Sequence, residues 1–293
     1  MNGGEELVSI IIPTYYRNDL LPRAMESALA QTYDPVEVLV VDDSGEAHAE
    51  PVVAAYEEVE YVPLEKNSGV QAARYAGLDR SDGTYVEFLD DDDRLRAEKL
   101  ARQVPLFDDE VGVVYAGLEW DDPDRDPQYP IPEVRGDVLR HALAMDLFPC
   151  CDPTMLVRRD VLEEIPPERH NHSAVDVGLM IDLARRTKFA YVSEPLVTCG
   201  LEGGLTRSLD YVDARWRVLE TFDDLYDEHP PAVKHAAISS TYEWEGEIRF
   251  AENRRSAGAA LSFLRSAYHS PEPHVKKWPR SLAWIVGRAG ARS

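Results

Sequence analysis

Three short apolar runs near the start of the chain each stop abruptly at turn-forming or acidic residues. Leu7 to Ile12 is closed by Pro13 and Thr14, Val36 to Val41 by Asp42-Asp43-Ser44-Gly45, and Tyr85 to Leu89 by four consecutive aspartates, Asp90 to Asp93. Runs of this length, rich in β-branched and aromatic residues, predict buried strands. After the first run, Leu20, Leu21, Ala24, Met25, Ala28 and Leu29 recur at helical spacing. A weaker helix is expected over Glu46 to Glu58, a strand near Glu60 to Pro63, and another helix through Arg74 and Ala76 after the turn Asn67-Ser68-Gly69. Strand and helix alternating in this way predict a doubly wound, mostly parallel α/β sheet over residues 1 to about 105. Ligands of such sheets bind beyond the carboxyl ends of the strands. Pro13-Thr14, Asp42-Asp43 and Asp90 to Asp93 should therefore line one crevice.

Four adjacent carboxylates repel and raise one another's proton affinity unless something cationic neutralises them. A hard divalent cation with oxygen ligands is the simplest neutraliser, and Mg²⁺ or Mn²⁺ bound through one or two carboxylates keeps positions free for a substrate phosphate. Phosphate chemistry is one reading of the run. A solvated acidic turn on an acidic protein is the other, and the run alone leaves both open.

At 293 residues and 44% hydrophobic content, the chain can bury the core of a large α/β domain with an appendage. Its 31 basic residues against 54 acidic ones give a net charge of -23, which disfavours nucleic acid as a partner. Of the 31, 25 are arginine. A strongly acidic, lysine-poor surface suits a salt-rich cytoplasm, where screening relieves self-repulsion, so a halophilic source is expected. Cys150 and Cys151 are adjacent and the total of three cysteines is odd, so no disulfide framework is implied. The opening "MNGGEELVSIIIPTYY" does not resemble a signal peptide, and no apolar stretch approaches the ~18 residues of a membrane span. The expected location is cytoplasmic.

Beyond residue 111 the pattern mixes. Val111 to Leu118, Met155 to Val157 and Phe189 to Val197 read as strands, Val175 to Arg186 as a helix, and "DDPDRDPQYPIP" as a loop or lid. After about residue 210 the chain turns helical, with packing faces at Trp216, Leu219 and Phe222, then Tyr242 to Phe250, then Ala259 to Tyr268. No internal repeat or low-complexity segment is evident.

Taken together, "VSIIIPTYYR", "VEVLVVDDSG", "NSGVQAARYAG", "GTYVEFLDDDD" and "AVDVGLMIDLARRTKFAYVSEPL" resemble family 2 glycosyltransferases of the GT-A fold, in order and at family-like spacing over about residues 7 to 207. The resemblance implies a GT-A domain over 1–209, with a nucleotide half (about 1–105) and an acceptor half (about 106–209), followed by a helical C-terminal extension over 210–293. Tyr16 stands where the family often has Asn, and Val175 where it often has Glu.

The implied chemistry is transfer of a sugar from a nucleotide diphosphate. A metal bridging the diphosphate oxygens would lower the barrier as charge develops on the leaving group. By resemblance, Asp92 is the metal ligand for Mg²⁺ or Mn²⁺, and Asp90 or Asp91 reaches the ribose. Asp93 suits the start of a helix expected over Leu95 to Leu106. The family places Asp43 on the base, where a carboxylate can accept from a uracil N–H; Pro13, Thr14 and Tyr15 would complete the nucleotide site. Asp43 could equally make an Asx-type turn before Gly45. Arg74 has the charge to meet a diphosphate or to join a surface ion pair. Asp176 resembles the acceptor-side general base, implying one in-line displacement with inversion; as a residue type it also suits a helix N-cap. His170 and His172 fit an acceptor loop or a solvated pair rather than a metal site. Gly203-Gly204-Leu205-Thr206-Arg207 resembles a family loop that closes over the diphosphate, and a surface loop fits equally well.

Residues 274–293 carry Lys276, Lys277, Arg280, Arg288 and Arg292 and no acid, around Trp278 and "LAWIV". Such a segment fits an interfacial helix on anionic lipid, which would suit a polyprenyl-phosphate-linked acceptor; it also fits a helix packed on the acidic body of its own chain. A non-catalytic nucleotide-sugar-binding scaffold is the alternative function. A signalling receiver needs a Lys after a later strand, yet none occurs between Lys99 and Lys188. No G-x-G-x-x-G follows the first strand, which argues against a dinucleotide-binding oxidoreductase. The charge reading predicts that urea melts shift to higher denaturant in molar KCl; equal stability in low and high salt would contradict it.

Overall fold

The computed structural model describes residues 6–121, 129–166, 175–200, 208–253 and 256–271. In chain order these form β1 (Val8–Thr14), α1 (Leu21–Leu29), β2 (Val36–Asp42), α2 (Glu50–Val53), β3 (Val59–Pro63), α3 (Val70–Arg80), β4 (Tyr85–Phe88), β5 (Arg94–Leu95) and α4 (Lys99–Gln103). There follow β6 (Val111–Trp120), α5 (Leu139–Leu143), β7 (Met155–Arg158), α6 (Arg159–Glu163), α7 (Val175–Ala184), β8 (Lys188–Cys199), α8 (Leu209–Thr221), α9 (Asp223–Asp227), α10 (Pro231–Glu252) and α11 (Ala257–His269).

Eight strands form one sheet in the order β3-β2-β1-β4-β7-β6-β8-β5. β3, β2, β1 and β4 run parallel, as the alternation of strand and helix predicts. β7 is antiparallel to both β4 and β6, β8 is parallel to β6, and β5 closes the edge antiparallel to β8. The α/β expectation is met, and the second half of the sheet is mixed. β1 is buried along its whole length, which is why Val8 to Ile12 is apolar at every position but Ser9 rather than alternating. α3 lies close on β1: a Cβ on Gly77 would come 2.4 Å from Ile11 Cγ2. That approach fixes the helix carrying Arg74 against the strand ends.

Two expectations change. The weak helix over Glu46 to Glu58 contracts to α2, because Asp42 captures the Ala49 amide and the chain turns before it can wind. The helix expected over Leu95 to Leu106 does not start at Leu95. Arg94 and Leu95 stay extended to pair with Thr198 and Val197, and α4 begins at Lys99. Asp93 accordingly caps no helix; its carboxylate accepts the Gly200 amide at 2.8 Å.

The chain divides into two compact units. The first, Met1–Val138, Leu147–Asn171 and Gly178–Gly204, holds the sheet; the second gathers Leu139–Asp146, His172–Val177 and Leu205–Ser293. Within the second, α8, α10 and α11 are joined by Arg215 donating to Ser240 Oγ (2.8 Å) and Ser239 donating to the Ser266 carbonyl (2.8 Å). Tyr226 donates to the Leu143 carbonyl at 2.6 Å.

Inside the first unit, Lys99 Nζ meets Glu87 Oε2 on β4 at 2.5 Å with neither side chain exposed. Burial pushes Glu87 up to about 8 and Lys99 down, each partly restrained by the other. Removing one member of such a pair strands the other, whereas removing both lifts the desolvation cost. Lys99→Met should therefore lose roughly 3–5 kcal/mol of unfolding free energy in urea melts. The Glu87→Met/Lys99→Met double variant should recover most of it; a double variant as unstable as the single would contradict this.

Candidate active site at the strand ends

The aspartates fold into a turn directly beyond β4. Leu89 still bonds to Ile11 of β1, and Asp93 N–H then returns to the Asp90 carbonyl at 3.0 Å, so the four carboxylates splay toward different partners. Asp91 is buried, accepting from Thr14 Oγ1 at 2.8 Å and Arg17 at 2.9 Å. The same Arg17 nitrogen lies 3.4 Å from Asp92. Asp90 accepts from Arg74 at 2.7 Å, while the other end of that guanidinium meets Asp152 at 2.5 Å. Arg74 comes from α3, and Asp152 opens a 3-10 turn before β7 whose Thr154 hydroxyl accepts the Cys151 amide. Two arginines thus supply part of the neutralisation that the run demands. Neither Arg17 nor Asp152 is singled out by sequence; Arg17 follows the Tyr15-Tyr16 pair without helical or strand periodicity, and Asp152 sits beside Pro153 as an ordinary turn residue.

Neutralisation is incomplete. Burial pushes Asp91 up to about 6 despite the hydrogen bonds from Thr14 and Arg17. Asp92 is raised by burial and then by the Asp90 charge, and Asp93 is raised well above the carboxylate range by burial and its acidic neighbours. Burial also raises Asp152 against the pull of Arg74. Arg74 resists the same burial, because Asp152 and Asp90 hold it protonated above its usual range. Among the described residues no group of three or more His, Cys, Asp or Glu side chains forms a metal cage. A cation held by a single carboxylate and completed by phosphate oxygens would need no such cage, and Asp92, with only the 3.4 Å approach of Arg17, could supply that carboxylate.

At the neighbouring strand ends, Asp43 N–H bonds to the Thr14 carbonyl at 3.0 Å, which brings β2 and β1 to one crevice. Asp43 accepts the amides of Ser68 (2.7 Å) and Gly69 (2.8 Å), tying down the start of α3. The Asx-type turn belongs instead to Asp42, whose carboxylate accepts the Ser44 amide at 2.9 Å, the Ala49 amide and the Tyr61 hydroxyl. Although burial opposes its charge, these bonds hold Asp42 below the usual range. Pro13 and Thr14 are buried in β1, and Tyr15 is exposed, edge-on to Tyr16 at 4.7 Å. Tyr16 has a φ of 56°, a left-handed conformation that Asn adopts more readily, which gives the departure at this position a backbone consequence.

Pro13, Thr14, Asp43, Arg74, Asp90, Asp91 and Asp92 are thus gathered at one set of strand ends. Asp176 lies in the first turn of α7 and belongs to the second unit. His170, His172, the segment Gly203 to Arg207 and the tail 274–293 lie outside the described residues.

The profile of glycosyl transferase family 2 matches residues 9–166. The chain is 35% identical over 111 residues to a putative teichuronic acid biosynthesis glycosyltransferase of Bacillus subtilis, covering 36% of this chain and 44% of that one. It is 33% identical over 107 residues to a UDP-Glc:alpha-D-GlcNAc-diphosphoundecaprenol beta-1,3-glucosyltransferase of Escherichia coli, covering 36% and 43%. The matched stretches span less than half the length of these relatives. Among solved structures, S. aureus TarS 1-349 in complex with UDP-GlcNAc aligns with a TM-score of 0.66 at 18% identity, covering 96% of this chain and 87% of that one. At that identity the likeness is one of fold, of the GT-A type. With the profile spanning more than half of its length, the chain belongs to glycosyl transferase family 2.

Proposed function

We propose that the chain is an inverting, metal-dependent glycosyltransferase that moves a sugar from a UDP-linked donor to a hydroxyl or phosphate acceptor, in assembly of a surface or protein-linked glycan. The observation that carries the proposal is the aspartate turn beyond β4, braced by Thr14, Arg17 and Arg74 in the same strand-end crevice as Asp43. Residues 1–105 would bind the nucleotide and 106–209 the acceptor, with 210–293 as an extension.

Asp43 would receive the base. Its two amide bonds leave acceptor capacity, because a carboxylate has about four lone-pair sites. Pro13, Thr14 and Tyr15 would form the adjoining wall. Asp90, whose side chain is 40% exposed, is better placed for the ribose than Asp91, both of whose oxygens are occupied. Arg74 would meet the diphosphate by sharing the nitrogen now given to Asp90. Asp92 would hold Mg²⁺ or Mn²⁺, which when bound offsets negative charge on the departing diphosphate. Asp176 would take the proton from the acceptor hydroxyl on the side opposite the leaving group, which makes the displacement invert the anomeric carbon.

A polyprenyl-phosphate-linked acceptor is supported by the diphosphoundecaprenol named for the Escherichia coli relative and by the basic, aromatic segment 274–293. Among the described residues no helix is long and apolar enough to cross a membrane. Such an acceptor would place the enzyme at the inner face of the cell membrane through peripheral contact.

UDP with Mn²⁺ should raise the melting temperature of the protein more than either alone, and Asp92→Asn should abolish that synergy. A shift with GDP but not UDP would contradict the assignment of the base. Asp176→Asn should retain the UDP shift and lose turnover by roughly 10²-fold or more. Transfer surviving within about tenfold would reject the role of Asp176, and donor binding without turnover on any acceptor would replace the enzyme by a nucleotide-sugar-binding scaffold.

A further inference from the structure

Two large aromatic rings stand exposed where the sheet gives them no core to cover. Trp120, the last residue of β6, is 38% exposed and Phe148 is 62% exposed. Their planes are nearly parallel, 10° apart, with ring centroids separated by 6.4 Å. Nearby, the segment 129–131 runs beside the end of β6, its Pro130 carbonyl accepting from Leu118 at 3.1 Å, and it leaves Tyr129 and Ile131 exposed at 50% and 45%. Indole and phenyl rings leave water readily, so a contiguous aromatic patch on a folded surface marks a contact site.

The pair also flanks the aspartate turn. Trp120 pairs with Cys199, and the next residue, Gly200, donates its amide to Asp93 at 2.8 Å. A Cβ at Gly200 would lie 2.9 Å from that of Asp92. Asp121, beside Trp120, accepts from Arg94 at 2.9 Å. Phe148 precedes Asp152 by four residues, and Asp152 grips the arginine that holds Asp90. Both rings are therefore anchored through short backbone paths to the proposed reaction centre. Trp120 ends β6, two strands beyond β4 and away from β1 and β2, whose ends carry Thr14 and Asp43, and Phe148 stacks on it from the segment entering β7.

We propose that Trp120 and Phe148 form a platform for a pyranose ring of the acceptor saccharide. One face of a pyranose presents axial C–H groups and little else, and such a face sheds water onto flat aromatic surface while its equatorial hydroxyls stay directed outward. The two exposed rings, their planes 10° apart, offer aromatic surface of that kind on the strand that leads through Cys199 and Gly200 to the aspartate turn. The assignment to an acceptor rests on the glycosyltransferase reading; the recognition of a pyranose rests on the rings.

Saturation-transfer NMR with methyl β-D-glucopyranoside, methyl N-acetyl-β-D-glucosaminide and methyl α-D-mannopyranoside, on the full chain, tests the platform without any nucleotide. The expected result is transfer to the ring C–H protons of at least one glycoside. Trp120→Ala and Phe148→Ala should each weaken that binding about tenfold, equivalent to about 1.4 kcal/mol. Phe148→Tyr should restore it, and the UDP-with-Mn²⁺ thermal shift should stay unchanged in all three. No transfer to any glycoside, transfer that survives in both alanine variants, or loss of the UDP shift in those variants would overturn the proposal. Sedimentation showing a dimer that the double alanine variant dissociates would overturn it in favour of a second copy of the chain. Glycoside binding in a protein that shows no UDP shift would sink the donor reading and leave the platform standing.

Discussion

The guanidinium of Arg74 sits between the carboxylates of Asp90 and Asp152, is 3% exposed, and among the described residues has no hydrogen-bond partner at Nε. Buried ion pairs of this type cost desolvation on both sides and hold only while every member is present. Here the trio carries a net negative charge, so it cannot satisfy itself. Asp90 answers by remaining partly in solvent, and burial raises the proton affinity of Asp152. The arrangement couples three elements, α3, the aspartate turn and the segment entering β7, that are far apart in sequence. The close seat of Gly77 on β1 and the two amides delivered to Asp43 set where α3 begins and how it lies. The position of Arg74 follows from both.

The same logic explains why the aspartate turn is poised rather than neutral. Thr14 and Arg17 satisfy Asp91, the Gly200 amide satisfies one oxygen of Asp93, and Asp92 has only a distant share of Arg17. Four identical residues thereby acquire different jobs from their partners. Asp90 and Asp91 are bound by arginines, Asp93 is tied to a backbone amide, and Asp92 is left with the 3.4 Å approach of Arg17. A cation and a diphosphate together would complete what the protein leaves unbalanced, in keeping with a site that recruits its metal along with a phosphate.

Much of this was legible before the fold was known. β1, β2 and β4 are buried on both faces, so their apolar runs and abrupt polar ends mark both the strands and the crevice. The division within the aspartate run was not legible, because it depends on Arg17, Arg74, Asp152 and Gly200, contributed by loops and a helix with no periodic signature. The helix expected after Asp93 failed for a related reason: Arg94 and Leu95 have no strand pattern of their own and are drawn into the sheet by β8. Asp42 and Asp43 show the limit of residue type. Adjacent and chemically identical, they split the turn and the loop anchor between them, and only the hydrogen bonds say which does which.

The central claim is that the strand-end carboxylates support a single displacement at the anomeric carbon of a nucleotide-linked sugar. Water can stand in for the unknown acceptor, so the most direct measurement is ¹H NMR of the first minutes of Mn²⁺-dependent hydrolysis of α-linked UDP-sugars by the full chain. The account predicts release of the β-anomer before mutarotation, and none from the Asp92→Asn variant. Release of the α-anomer first, or equal hydrolysis by that variant, would contradict it.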